Sequence, residues 1–200
     1  MKRGVLLDRD GVINRMVYDA EHGTVDSPAN PEQFELLPGA AAAVHTLNQS
    51  GLPVVVVSNQ PGVAKGKMTL ALQETITSKM HAELAAAGAH LDAVYYCLHH
   101  PDAKLPEYRV RCECRKPRPG LLLRAADELG ISLADSWMIG DGLTDVQAGQ
   151  AAGCRTVWLG AWKCDVCHIA RDKNAAPAFI VSDLAQAVRM ITEQISLVRA

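Results

Sequence analysis

Val54–Val57 is an unbroken run of four valines. β-branched side chains favour extended backbone, and a run without polar alternation fits a strand covered on both faces. The rest of the chain extends the theme. Val5–Leu7, Ala93–Tyr96, Trp137–Ile139, Thr156–Leu159 and Phe179–Val181 are further short apolar runs. Helical patterns fall between them. Ala40–Ser50 is opened by Pro38-Gly39 and closed by Gly51. Thr69 can cap a helix running to about Ala87, with Leu72, Ile76, Met80 and Leu84 forming one apolar stripe. Pro119 opens a helix that Gly130 closes, and two more are predicted near Asp145–Ala152 and over Leu184–Ile195. Strands alternating with helices predict an α/β fold, a mostly parallel sheet with helices on both faces. Such sheets bind ligands beyond the carboxyl ends of their strands. Two stretches lack a regular pattern, Asn14–Leu37 and His99–Pro119, and long loops in small domains are often functional.

Size and charge narrow the classes. A chain of 200 residues suits one domain, and 48% hydrophobic content against 21% charged provides a sizeable core. With aromatics at 4%, that core is mostly aliphatic. The net charge of −2 argues against a nucleic-acid or anionic-membrane surface. No apolar stretch approaches the length of a membrane span, and the start lacks the apolar segment of a secretory signal. The expectation is a cytoplasmic monomer acting on a small molecule, with no nucleic-acid or membrane partner.

Four segments carry chemistry. The first strand runs into Asp8-Arg9-Asp10-Gly11. Residues two apart in a strand share a face, and two close carboxylates repel unless a cation or proton sits between them. Mg²⁺, which takes one or two carboxylates plus phosphate oxygens, is the usual remedy. The second strand ends in Ser58-Asn59-Gln60-Pro61-Gly62, where a hydroxyl and amides can donate to phosphate. Arg115 and Lys116 follow Cys114 and can neutralise an anion, Arg as a bidentate fork and Lys as a point charge. The fourth strand ends in Gly140-Asp141, with Asp145 four residues on. Asp141 reads as a further acid for the metal, and Asp145 as an acid favouring a helix N-terminus.

These segments, in this order, resemble the haloacid dehalogenase (HAD) superfamily of phosphatases. The resemblance implies a three-layer Rossmann-like fold in one domain over 1–200, and the sequence shows no separate cap domain inserted between the motifs. It implies that Asp8 is a nucleophile forming an aspartyl-phosphate, and that Asp10 is the acid and base. Ser58 and Lys116 would stabilise the transferred group, and Asp141 with Asp145 would form the acidic motif. Mg²⁺ would be held by Asp8, the main-chain carbonyl of Asp10 and Asp141.

Cys97-x-His99 is followed, after twelve residues, by Cys112-x-Cys114. Three thiolates and an imidazole suit a closed tetrahedral Zn²⁺ site that would pin the loop at about 97–114 beside Arg115 and Lys116. With Asn-Gln-Pro-Gly-Val-Ala-Lys-Gly and Cys-Arg-Lys-Pro, this loop is similar to that of the D-glycero-D-manno-heptose-1,7-bisphosphate 7-phosphatase family. That likeness implies cleavage of the C7 phosphate, substrate recognition by Arg115, and a sugar site lined by His22, Gly23, Thr24, Val25, Asn59 and Gln60. The chain departs from the family in having Gly142 where Lys is frequent, which bears on sugar and anomer. Histidinol-phosphate phosphatases, with a shorter zinc loop, are the alternative. A catalytically silent zinc-stabilised binding module and a nucleic-acid 3′-phosphatase are weaker ones, disfavoured by the retained acids and by the net charge. Cys164-x-x-Cys167-His168 fits a c-type haem pattern, but such attachment needs export, so these are read as incidental loop residues or a second metal site.

Overall fold

The valine run lies within strand β4 (Val54–Asn59), the second strand of a six-stranded sheet. The computed structural model describes residues 1–20, 23–160 and 175–199. Its main sheet is built from β1 (Val5–Leu7), β4, β5 (Ala93–Cys97), β6 (Trp137–Gly140), β7 (Arg155–Leu159) and β8 (Phe179–Val181). The spatial order is β5-β4-β1-β6-β7-β8, and each neighbouring pair is parallel.

Alternate residues explain why the strands are apolar throughout. Val5, Leu7, Val54 and Val56 pack with Val44, Leu47, Ile76, Met80, Val188 and Ile191 on one face. These come from α1 (Ala40–Gln49), α2 (Leu70–Ala86) and α5 (Leu184–Arg199). Leu6, Val55, Val57 and Met138 pack on the other face with Leu121, Leu122, Ala125 and Ala148. Those come from α3 (Gly120–Leu129) and α4 (Leu143–Ala151). Each fully buried Val or Leu contributes roughly 1.5–3 kcal/mol, so both faces resist polar substitution. Thr69 caps α2 by accepting from Leu72 N at 3.2 Å, as its sequence position predicts. Helix α4 begins two residues before Asp145, which is its third residue and accepts from the Gly142 N–H at 3.0 Å.

Register aligns the chemistry. Leu7 pairs with both Val56 and Ile139, and Asn59 pairs with Cys97. Asp8, Ser58, Cys97 and Asp141 therefore emerge along one edge, the carboxyl ends of adjacent strands. The irregular Asn14–Leu37 stretch contains a small antiparallel hairpin, β2 (Val17–Asp19) with β3 (Thr24–Asp26). Cys164, Cys167 and His168 lie outside the described residues. Among the described residues no helix is long and apolar enough to cross a membrane.

Candidate active site

Two glycines let the acid-bearing loops meet. A Cβ at Gly11, where φ is 76°, would stand 2.1 Å from Asp141 Oδ2. A Cβ at Gly140 would stand 2.2 Å from Asp145 Cβ. Any side chain at either position would push the acids apart. With both glycines in place, Asp8, Asp141 and Asp145 each offer an oxygen within 4.8 Å of the others.

Lys116 reaches this cluster from the loop before α3. Its Nζ lies 3.0 Å from Asp8 Oδ1, 2.5 Å from Asp145 Oδ1 and 2.8 Å from the Val57 carbonyl. All three ammonium hydrogens are thereby committed. Burial alone would lower the Lys116 pKa, but Asp145 and Asp8 outweigh it and hold the group above its ordinary value. One ammonium does not balance three acids. Burial, with Asp8 and Asp145 adding repulsion, pushes Asp141 up to about 7. Burial also pushes Asp145 up to about 6 against the pull of Lys116. An all-oxygen set with excess negative charge is the chemistry a hard divalent cation such as Mg²⁺ fits.

Asp10 faces elsewhere. Its Oδ1 accepts from Arg9 Nε at 3.1 Å, Arg9 Nη2 at 3.0 Å and Asn14 Nδ2 at 2.9 Å. Its Oδ2 accepts from Gln60 Nε2 at 2.6 Å, Ser27 Oγ at 2.8 Å and Arg9 Nη2 at 3.2 Å. Arg9 is wholly buried, with its guanidinium over the Tyr96 ring at 5.5 Å. The Asp10 carboxylate is thus outside the three-acid cluster, and any metal contact from this residue falls to its main chain.

Ser58 is buried beside this network, 3.1 Å from Gln60 Nε2. Gln60 is fully buried and its amide bridges Arg9, Asp10 and Ser58. Asn59 clamps the Lys116 peptide, accepting from its N–H at 3.0 Å and donating to its carbonyl at 3.1 Å. Both amides, expected along the sugar site, here support Asp10 and Lys116. Gly23, Thr24 and Val25 are exposed on the hairpin, and His22 lies outside the described residues. An Asp26–Lys67 ion pair ties the hairpin to the segment after β4.

The thiols converge at the end of β5. Cys97 Sγ lies 3.6 Å from Cys112 Sγ and 3.3 Å from Cys114 Sγ. His99 Nδ1 lies 3.8 Å from Cys97 Sγ and 3.4 Å from Cys114 Sγ. A tetrahedral Zn²⁺ with ordinary bond lengths sets its ligand atoms about 3.8 Å apart for S–S and about 3.6 Å for S–N. The two S–N distances lie either side of that value, and the two S–S distances fall 0.2 and 0.5 Å short of theirs. Burial, reinforced by Cys114, pushes the Cys97 thiol well up, so a cation is needed for all three to ionise together. Arg115 donates to the His99 carbonyl at 3.1 Å and joins Arg111, Lys116 and Arg118 around a cavity of about 330 Å³.

Over 152 residues the chain is 45% identical to the D-glycero-beta-D-manno-heptose-1,7-bisphosphate 7-phosphatase of Escherichia coli K12, covering 76% of this chain and 75% of that one. The chain belongs to the heptose-bisphosphate phosphatase family of HAD-like hydrolases. The same-named protein of Vibrio cholerae is 39% identical over 155 residues, 78% of this chain and 79% of its own. The HAD-hydrolase-like family model matches residues 113–187. A solved D,D-heptose 1,7-bisphosphate phosphatase from B. bronchiseptica, complexed with magnesium and phosphate, superposes with a TM-score of 0.78. It is 30% identical and covers 96% of this chain and 99% of its own.

In this heptose-bisphosphate phosphatase family member, Asp145, read from the sequence both as a helix-start acid and with Asp141 as the acidic motif, pairs with Lys116 across the site. Three candidate residues escape sequence reading: Arg9, Asn14 and Ser27 surround Asp10. A charged residue embedded in the motif, Arg9 between two aspartates, is the one available signal. Beyond the adjacent Asp10, its partners Gln60 and Tyr96 come from distant segments.

Proposed function

We propose that this chain is a Mg²⁺-dependent phosphatase that hydrolyses the C7 phosphate of D-glycero-D-manno-heptose 1,7-bisphosphate. The observation that carries the reading is the buried Asp8–Lys116–Asp145 cluster with Asp141 beside it, in a chain 45% identical to a protein of that named activity. A carboxylate oxygen of Asp8 bonds to phosphorus while the ester bond to the sugar breaks, giving an aspartyl-phosphate. Asp10 gives a proton to the departing sugar oxygen, then takes one from the water that hydrolyses the intermediate. Ser58 and Lys116 stabilise charge on the transferring group. Asp8, Asp141 and the Asp10 carbonyl are the proposed Mg²⁺ ligands, with Asp145 held beside them by Lys116. Bound Mg²⁺ supplies the charge that lets an anionic nucleophile approach an anionic phosphate.

Arg115, fixed by the loop at about 97–114, would recognise the second phosphate or the far end of the sugar. The hairpin segment Gly23–Val25 would line the same side. A cytoplasmic monomer formed by one domain over 1–200 belongs to this reading, and free thiols in a metal loop suit a reducing compartment. The test is a comparison of kcat/KM on both anomers of the heptose bisphosphate and on histidinol phosphate. The heptose bisphosphates should be the better substrates; preference for histidinol phosphate would overturn the choice of sugar.

Zinc is the second part of the proposal. The four convergent ligand atoms support one tightly held Zn²⁺ per chain. Cys114→Ser should lose it and loosen Arg115 with the loop. Elemental analysis of protein purified without chelators checks this, and zinc-free wild-type protein would refute it.

A further inference from the structure

We infer that Trp158 is a positioning residue for Asp141, the acid proposed to hold Mg²⁺ from the end of β6: its indole N–H locks the peptide that follows the acid. This rests on the proposed role of Asp141 as a Mg²⁺ ligand. Trp158 pairs with Gly140 across β6 and β7, so it stands beside the point where β6 gives way to the acidic loop. Its Nε1–H donates to the Asp141 carbonyl at 2.9 Å. The N–H of the same peptide, on Gly142, donates to Asp145 Oδ2 at 3.0 Å. A trans peptide is planar, and its C=O and N–H point to opposite sides. Held at both ends, the unit cannot turn, so ψ of Asp141 and φ of Gly142 are fixed together.

Asp141 needs that hold more than its neighbours do. Lys116 bonds to Asp8 and Asp145, and its third hydrogen goes to the Val57 carbonyl. None is left for Asp141, so its own backbone aims its carboxylate. Gly142 adds no side chain to anchor the loop, and glycine loses the most conformational freedom on ordering. The indole supplies the anchor from the neighbouring strand. Val157 and Leu159 pack on one face of the sheet, and Trp158, between them, packs on the other with Val146 of α4. The buried ring therefore rests on the helix that Asp141 leads into. A cation gathers its ligands at fixed distances, so freedom left in the Asp141 peptide would be lost on binding and would weaken affinity. Groups that orient metal ligands contribute roughly 10–100-fold in affinity, and Trp158, acting through the main chain, belongs at the low end.

Trp158→Phe keeps a ring against Val146 and removes the N–H. Calorimetric titration with Mg²⁺ alone should show its Kd raised about tenfold. The Mg²⁺ concentration for half-maximal phosphate release should rise by a similar factor, while kcat at saturating Mg²⁺ falls by less. Val146→Ala is the packing control. It loosens the same cluster without touching the N–H, so it should lower Tm and leave the Mg²⁺ Kd close to the wild-type value. An unchanged Kd in Trp158→Phe, or an equal rise in Val146→Ala, overturns the inference and leaves the Mg²⁺ site standing. Wild-type protein that binds no Mg²⁺ overturns both. NMR of the wild-type protein makes the test independent of how well the phenylalanine variant folds. The Trp158 indole proton should shift as Mg²⁺ binds, and that of Trp137, at the far end of β6, should stay in place. A Trp158 indole indifferent to Mg²⁺ would equally refute the inference.

Discussion

Asp8→Asn abolishes phosphate release while leaving the fold intact. An amide is too weak a nucleophile to form the acyl-phosphate, and removing a covalent nucleophile costs on the order of 10⁴–10⁶-fold in turnover. The substitution should not harm the metal-free protein. Asp8 contributes to the raised pKa of both Asp141 and Asp145, so losing its charge relieves repulsion. That relief offsets the weakened contact to Lys116. Steady-state phosphate release and a thermal melt, run on the same preparation, separate the two effects. Near-normal turnover by a purified Asp8→Asn protein contradicts the mechanism.

Lys116→Ala should damage stability as well as rate. The ammonium is buried and lies between two carboxylates, one of them the buried Asp145. Removing one member of a buried ion pair leaves the other uncompensated and costs about 3–5 kcal/mol. For a domain of this size that lowers Tm by roughly 6–20 °C. Turnover should fall too, because the ammonium bonds to the nucleophile itself. Millimolar Mg²⁺ should recover part of the lost Tm, since a cation held by Asp8 and Asp141, beside Asp145, supplies the missing charge. An unchanged melt would mean that the cluster is solvated rather than locked.

The main sheet was readable because each strand is apolar on both faces. Val54–Val57 divides its side chains between the two helix layers, and such a run has few other folds. The ends of the three central strands were readable because Asp8, Ser58 and Asp141 stop their runs. The hairpin was not. Its strands have three residues each, and Tyr18 and Val25 stay exposed, so no apolar alternation marks them. The Asp10 network was equally hidden. Gln60 meets Asp10 across 50 residues, and Ser27 meets it across 17. Such contacts depend on where loops land on the finished sheet, which local pattern does not encode. Asn59 illustrates the same limit: its residue type suits a sugar site, yet its amide is committed to the Lys116 main chain. The convergence of Cys97, His99, Cys112 and Cys114 was legible because metal chemistry restricts residue type and spacing together.

The most direct test of the central claim is the position of cleavage. Purified, Mg²⁺-loaded protein is given D-glycero-D-manno-heptose 1,7-bisphosphate, and the products are followed by phosphorus NMR. The expected result is inorganic phosphate with the heptose 1-phosphate left intact. Release of the anomeric phosphate to leave the 7-phosphate, or no turnover at all, would contradict the account.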